Sequence, residues 1–314
     1  MEEATYGHLQ QRLIQLYLDQ HYTQALEFIE QEEKRFPENT LEIAYWRLCL
    51  LTLTERQTEA LHLFRETVDQ GGWFGPMMLE QDPDLVTLRP LPAFQDLLEV
   101  CRQRFHKIKE TIQPELFVEE PVTHSTTYPL LIALHGNEGN ARSTMDIWRQ
   151  STAQGWLIGA PTSSQIVGPH SCVWDDRQAG VHEIRMHLSK LTNEYPLDLE
   201  RVVIGGYSMG AGLAIWTVLN QFVKTCGFIA FAPYLTPEEL EALPALLKNP
   251  DLAQVHGTIL VGEKDSTCLN VSRRVVELMH AHHLPCTLQI HPELDHRYPS
   301  NFPEFLSRGL TIFH

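Results

Sequence analysis

Basic residues are scarce in this 314-residue chain: 24 Lys and Arg stand against 40 Asp and Glu, a formal charge of −16. With an isoelectric point of about 5.4, that balance argues against nucleic acid or an anionic membrane surface as a partner, since both call for cationic surface. Long apolar runs are missing too, and nothing approaches the roughly 18 residues of a membrane span. The opening stretch, MEEATYGHLQ, has neither a basic region nor an apolar one, so no secretory leader is expected. Cysteine is sparse and scattered, six residues at 49, 101, 172, 226, 268 and 286 with no C-x-x-C pair. Such a distribution fits reduced thiols in the cytoplasm better than a disulfide framework. There is no G-x-G-x-x-G after a strand, no G-x-x-x-x-G-K-[ST] and no H-E-x-x-H, so no motif implies a cofactor or a metal. His280, His282 and His283 share one helical segment without an acidic or cysteine partner nearby, and read as solvated.

Hydrophobic residues make up 43% of the chain, enough for a substantial core. Their spacing divides it into two territories. Residues 1–107 read as helix almost throughout, with apolar residues three and four apart over His8–Asp19, Tyr22–Arg35, Leu41–Leu53, Thr58–Gln70 and Pro92–Lys107. The pairs Leu13/Leu48, Leu16/Leu51, Ala25/Ala60, Leu26/Leu61 and Ile29/Phe64 recur at one offset. A period of about 34 residues is that of stacked helical hairpins, and residues 8–72 resemble tetratricopeptide repeats. The fit is degenerate, because the family's first-helix glycine is Leu13 in one copy and Leu48 in the other. Residues 108–128 show no helical pattern and read as a linker that becomes a first strand near Leu116–Glu119. Beyond it, short apolar runs at 130–134, 156–160, 202–205, 228–231 and 258–261 alternate with helical segments near 142–154, 178–194, 210–223, 236–248 and 272–283. Strands separated by helices predict a mostly parallel sheet covered on both faces. In such sheets chemistry gathers at the C-terminal ends of the strands.

One of those ends carries Gly205-Gly-Tyr-Ser-Met-Gly-Ala-Gly212, directly after Val202-Val-Ile and directly before Leu213-Ala-Ile-Trp. A strand turning so sharply into a helix puts the intervening residue in a strained conformation. Glycine two residues to either side avoids clashes between strand and helix, which makes this G-x-S-x-G a nucleophile elbow with Ser208 at its tip. The following helix N-terminus supplies free N–H groups and a dipole that favour developing negative charge. The other strand ends carry His135-Gly-Asn-Glu-Gly-Asn140, Gly262-Glu-Lys-Asp265 and His291-Pro-Glu-Leu-Asp-His296.

With PLLIALHGNEGN at one strand end and LDLERVVIGGYSMGAG at another, residues 113–314 resemble the α/β-hydrolase superfamily, in particular its esterase, phospholipase/carboxylesterase and dienelactone-hydrolase-like members. The resemblance implies a doubly wound, mostly parallel sheet preceded here by an all-α helical-hairpin domain. The family order Ser…Asp/Glu…His falls on Ser208, Asp265 and His296. It implies a serine nucleophile, a histidine base, an acid that fixes the imidazole, and an oxyanion hole from the amides of Asn137 and Met209. In related hydrolases a tryptophan such as Trp174 often borders the acyl pocket; a plain core tryptophan is an equal reading. Glu263 is the fallback acid and His291 the fallback base. Asp295 is too close in sequence to His296 to face it well, and His135 reads as a group that shapes the oxyanion loop.

These readings predict a serine hydrolase of small-molecule carboxylic esters or thioesters. The alternative is a helical-repeat interaction scaffold with a vestigial hydrolase domain. For residues 1–107 two roles stay open: a cap over the loops around Ser208, or a module for a protein partner or self-association.

Overall fold

The computed structural model describes residues 6–123 and 125–313. They form two compact units, one running to Ile112 together with Val167–Pro169 and the other comprising the remainder from Gln113 on.

The first unit is helical: α1 (Tyr6–Leu18), α2 (Tyr22–Glu32), α3 (Thr40–Leu53), α4 (Gln57–Asp69), α5 (Pro76–Gln81) and α6 (Pro92–Thr111). Successive helices α1 to α4 pack on one another. Leu13, Leu16, Ala25 and Ile29 are buried in the first two, and Leu48, Leu51, Ala60 and Phe64 in the next two, so recurring positions supply the core. Helix α6 runs past the expected end at 107, because Ile108-Lys-Glu continues a good helical sequence. It stops short of Pro114, whose ring disfavours helical backbone at the residue before it. The stretch expected to be linker is therefore partly helix.

The second unit is built on a seven-stranded sheet among the described residues. Its strands are β1 (Leu116–Glu119), β2 (Tyr128–Leu134), β3 (Leu157–Pro161), β6 (Leu197–Tyr207), β7 (Gly227–Phe231), β8 (His256–Gly262) and β9 (Cys286–His291), in the order β1-β3-β2-β6-β7-β8-β9. Between β3 and β6 in the chain lie two short strands, β4 (Ile166–Gly168), mostly part of the first unit, and β5 (Ser171–Cys172). All pairings in the large sheet are parallel except that of β1 with β3.

Strand β2 is buried along its whole length. Leu130, Ile132 and Leu134 point into one apolar layer, where they meet Leu213, Ile215, Val275 and Trp174. Leu131 and Ala133 point into the other, with Trp148, Phe302 and Leu306. The helices of the unit are α7 (Ala141–Trp148), α8 (Arg177–Glu194), α9 (Met209–Leu219), α10 (Pro237–Leu246), α11 (Ser266–Ala281) and α12 (Phe302–Thr311). Helices α8 to α11 contribute to the first layer, α7 and α12 to the second. Helix α11 begins at Ser266 rather than 272 because Asp265 caps it, its side chain accepting the Cys268 amide. Helix α12 was not among the expected elements, although Phe302, Phe305, Leu306, Gly309 and Leu310 have helical spacing and are buried.

On α8, His187 is buried with no hydrogen-bond partner for Nε2. Burial lowers its pKa to about 4, and that of buried His135 likewise to about 4. Both imidazoles are neutral in the fold, whereas an unfolded chain protonates them near 6.5. Between about pH 6.5 and 4 the unfolded state binds more protons, so stability falls as pH drops through that window. His187→Leu removes the unpartnered nitrogen and one of the two linked protons. It is expected to raise stability at neutral pH by about 1 kcal/mol and to flatten the acid-side loss. Thermal melts of both proteins across this pH range check it; equal slopes would refute the assignment.

Candidate active site

The site begins with a backbone constraint. Strand β6 ends at Tyr207 and α9 starts at Met209, leaving one residue to reverse direction. Ser208 does so at φ 53° and ψ −116°, a region side chains rarely adopt and one that costs about 1–3 kcal/mol. The surroundings hold it there: its amide donates to the Phe231 carbonyl at 2.9 Å, and its carbonyl accepts the amides of Gly212 and Tyr234, each at 3.0 Å. Two glycines are required by close approach. A Cβ at Gly206 would stand 2.6 Å from the Gly210 carbonyl carbon, and one at Gly210 would collide with the His135 carbonyl oxygen.

His296, in the loop after β9, places Nε2 at 2.9 Å from Ser208 Oγ and Nδ1 at 2.6 Å from Asp265 Oδ2. A carboxylate only accepts, so Nδ1 carries the proton and donates it, and the free Nε2 accepts from the serine hydroxyl. The Asp265 side chain is 8% exposed and that of His296 43%, so the imidazole is open to a ligand while its acid is sheltered. Tyr207 steadies the histidine from below: its hydroxyl donates to the His296 carbonyl at 2.7 Å, and its ring lies tilted against the imidazole at 5.0 Å. Cys268 Sγ lies 3.6 Å from His296 Nδ1. Burial raises its thiol pKa, with Asp265 adding to the effect, so it is a poor thiolate.

Met209 is the first residue of α9, and its amide has no carbonyl four residues back within the helix. Asn137 is exposed in a turn closed by the Gly139 amide on the Gly136 carbonyl at 3.1 Å. That turn abuts the serine: a Cβ at Gly136 would lie 3.5 Å from Ser208 Cβ. Both amides therefore belong to segments that flank Ser208. His135 braces the turn. Its Nε2 accepts the Ser163 amide at 3.2 Å, which leaves Nδ1 to donate to the Gly136 carbonyl at 2.7 Å. Burial keeps this ring neutral, with its pKa down at about 4, as the pair of bonds requires.

Trp174 is fully buried, stacked on His135 at 4.7 Å, and its Nε1 donates to the His135 carbonyl. It therefore packs in the core behind the turn at 136–139. The fallback residues lie elsewhere. Glu263 accepts the Glu293 amide, Asp295 pairs with Arg297, and His291 Nδ1 donates to the Pro292 carbonyl.

Sequence reading missed Arg177. Its guanidinium forms a two-pronged pair with Glu239, donates to the Met209 carbonyl at 3.0 Å and reaches the Tyr234 carbonyl at 3.3 Å. Glu239 also completes the capping box of α10 with Thr236. The T-P-E-E stretch at 236–239 announces that cap, but nothing local links it to Arg177. A cavity of about 170 Å³ adjoins the turn after β2, lined by His135, Gly136, Asn137, Ile147, Tyr207 and Tyr298 among others.

Known proteins place this architecture. Residues 5–109 match the family model described as A/B hydrolase-like, N-terminal domain. Among solved structures, an uncharacterized protein from Bacillus cereus is similar over 99% of both chains at 26% identity and a TM-score of 0.57. Esterase PE8 is 16% identical over 65% of this chain and 100% of its own, with a TM-score of 0.53. A Bacillus cereus carboxylesterase is 15% identical over 67% of this chain and 99% of its own, with a TM-score of 0.51. No curated protein matches the chain by sequence. Among the described residues, no helix is long and apolar enough to cross a membrane.

The Arg177–Glu239 pair is well sheltered, with side chains 15% and 11% exposed. Removing one partner of such a pair strands the other charge at a cost of about 3–5 kcal/mol. Arg177→Met should therefore destabilise the protein by roughly that amount in urea unfolding. Adding Glu239→Gln should recover part of the loss. A double variant as unstable as the single one would refute the stranded-charge account.

Proposed function

We propose, from the premise that this is an α/β-hydrolase-fold protein with a helical N-terminal domain, that it is a serine hydrolase of small-molecule carboxylic esters or thioesters. The observation that carries the reading is the unbroken relay Asp265–His296–Ser208, ending on a serine held at positive φ. Ser208 Oγ attacks the acyl carbon as its proton passes to His296 Nε2. Asp265 holds the imidazole in the required tautomer and stabilises the imidazolium. The amides of Met209 and Asn137 receive the oxyanion. His296 then returns the proton to the leaving oxygen or sulfur, and water, activated in the same way, releases the acyl group. The named esterases of similar fold lend support at the level of architecture.

Fluorophosphonate labelling and steady-state assays on p-nitrophenyl esters test the proposal. Ser208→Ala should abolish labelling and lower kcat by about 10⁴-fold or more, with thermal stability preserved. His296→Ala should be as severe, whereas His291→Ala should be mild. Asp265→Asn should cost about 10⁴-fold through loss of tautomer control, and Glu263→Gln much less. A wild-type protein that neither labels nor turns over any ester would favour a scaffold with a vestigial site.

A further inference from the structure

Glu183, on α8, is a carboxylate that the proposed chemistry does not use. It is only 4% exposed, and the donors it meets are serine hydroxyls and an amide rather than a Lys or Arg. Burial raises its pKa, against the pull of hydrogen bonds from Ser164 and Ser163. Keeping such a group inside the fold costs stability, so its contribution lies in what it holds. Its two oxygens share the Ser164 amide at 3.3 Å each, and one also accepts the Ser164 hydroxyl. Ser164 belongs to the segment that follows β3, and that segment braces the turn at 136–139 from both sides. Beyond the turn, Thr162 Oγ1 accepts the Ala141 amide at 2.8 Å. Before it, the Ser163 amide donates to His135 Nε2 at 3.2 Å, and His135 Nδ1 donates to the Gly136 carbonyl at 2.7 Å.

Given the serine-hydrolase reading on which it rests, we propose that Glu183 is a positioning residue for the oxyanion-binding turn, acting through Ser164, Ser163 and His135. The amides of Ser163 and Ser164 belong to consecutive, planar peptide groups. The backbone angles that aim one at His135 therefore also aim the other at Glu183. His135 in turn keeps its proton on Nδ1 only while Nε2 has a donor to accept, since the partner of one ring nitrogen sets the state of the other. Releasing the Ser163 amide would thus loosen the bond from Nδ1 to the Gly136 carbonyl. Asn137, whose amide the proposed mechanism uses, lies in the turn so fixed. A donor misplaced by about 1 Å costs about 10²-fold in rate. The loss falls on kcat rather than KM, because the oxyanion demands that donor more than the ground-state carbonyl does. A carboxylate suits the place because both of its oxygens face the Ser164 amide. A carboxamide would set an NH2 against that donor.

The test is steady-state hydrolysis of p-nitrophenyl esters by Glu183→Gln and Glu183→Ala in the full chain, with competent sites counted by the stoichiometry of fluorophosphonate labelling. Per-site kcat should fall about tenfold in Glu183→Gln and about 10²-fold in Glu183→Ala, with KM within about twofold of wild type. Misfolded protein lowers the number of sites that label, not the turnover of each. A merely structural role therefore leaves per-site kcat at the wild-type value. In a His135→Phe background, Glu183→Gln should cost less than about a further twofold, because the route it acts through is already cut. Wild-type per-site kcat in Glu183→Gln overturns the proposal, whether or not Glu183→Ala folds. So does a loss carried by KM, or the whole tenfold loss persisting beside His135→Phe. In each of those cases the wild-type protein still labels and turns over, and the serine-hydrolase reading stands. A wild-type protein that does neither on any ester removes that reading, and this inference with it.

Discussion

One strained residue organises the second unit. Ser208 sits at positive φ because β6 and α9 leave a single position in which to turn, and both elements are pinned by burial. Strand β6 is hydrogen-bonded on both sides, to β2 and β7, and α9 is buried along nearly its whole length. Neither can shift to relax the turn without uncovering core, so the apolar layers absorb the cost of strain. The glycines follow from the same constraint. Gly206 and Gly210 let the elbow fold back on itself and let the carbonyls at the end of β2 approach it. The turn after β2 comes to lie beside the serine because β2 and β6 are neighbours in the sheet.

Around that point, polar groups are used to fix backbone as much as to face a ligand. Arg177 spends its donors on the Met209 and Tyr234 carbonyls and on Glu239. His135 spends both ring nitrogens on the loops at Gly136 and Ser163, and Trp174 caps the carbonyl of His135 itself. Each is sheltered from water, where hydrogen bonds are strong and their loss is costly. The outcome is a cradle of engaged polar groups beside His296, whose side chain is exposed. In an electrostatic mechanism this matters, because dipoles already in place need not reorganise as charge develops. Two carboxylates of this cradle, Asp265 and Glu239, are each engaged by a specific donor partner.

The aromatic group beneath the site links chemistry to shape. Tyr207 bonds to the loop of His296 and also lines the cavity, while Tyr298 and Phe231 stack against it. The placement of the histidine and the dimensions of the cavity thus share one set of rings, packed on Phe302 of α12. The last helix of the chain is therefore coupled to the site, although it contributes no group to the relay.

Much of this is legible in the sequence alone. Local patterns determined the division into a helical and an α/β territory, the parallel sheet, and the elbow, because hydrophobic period and glycine placement act over a few residues. The chain order of Ser208, Asp265 and His296 was readable through family likeness, and their convergence follows from β6, β8 and β9 ending on one edge of the sheet. Tertiary structure alone decided between competing side chains of similar chemistry. Glu263 and His291 are as competent by type as Asp265 and His296, and only the register of the β8 and β9 ends turns one pair toward the serine and the other toward loop amides and carbonyls. Trp174 could equally have bordered a pocket or filled a core; stacking on His135 made it the latter. Arg177 could not have been found, since its partners lie at Met209, Tyr234 and Glu239. Sequence pattern reports what a segment does on its own, whereas partners that distant in the chain are chosen by packing.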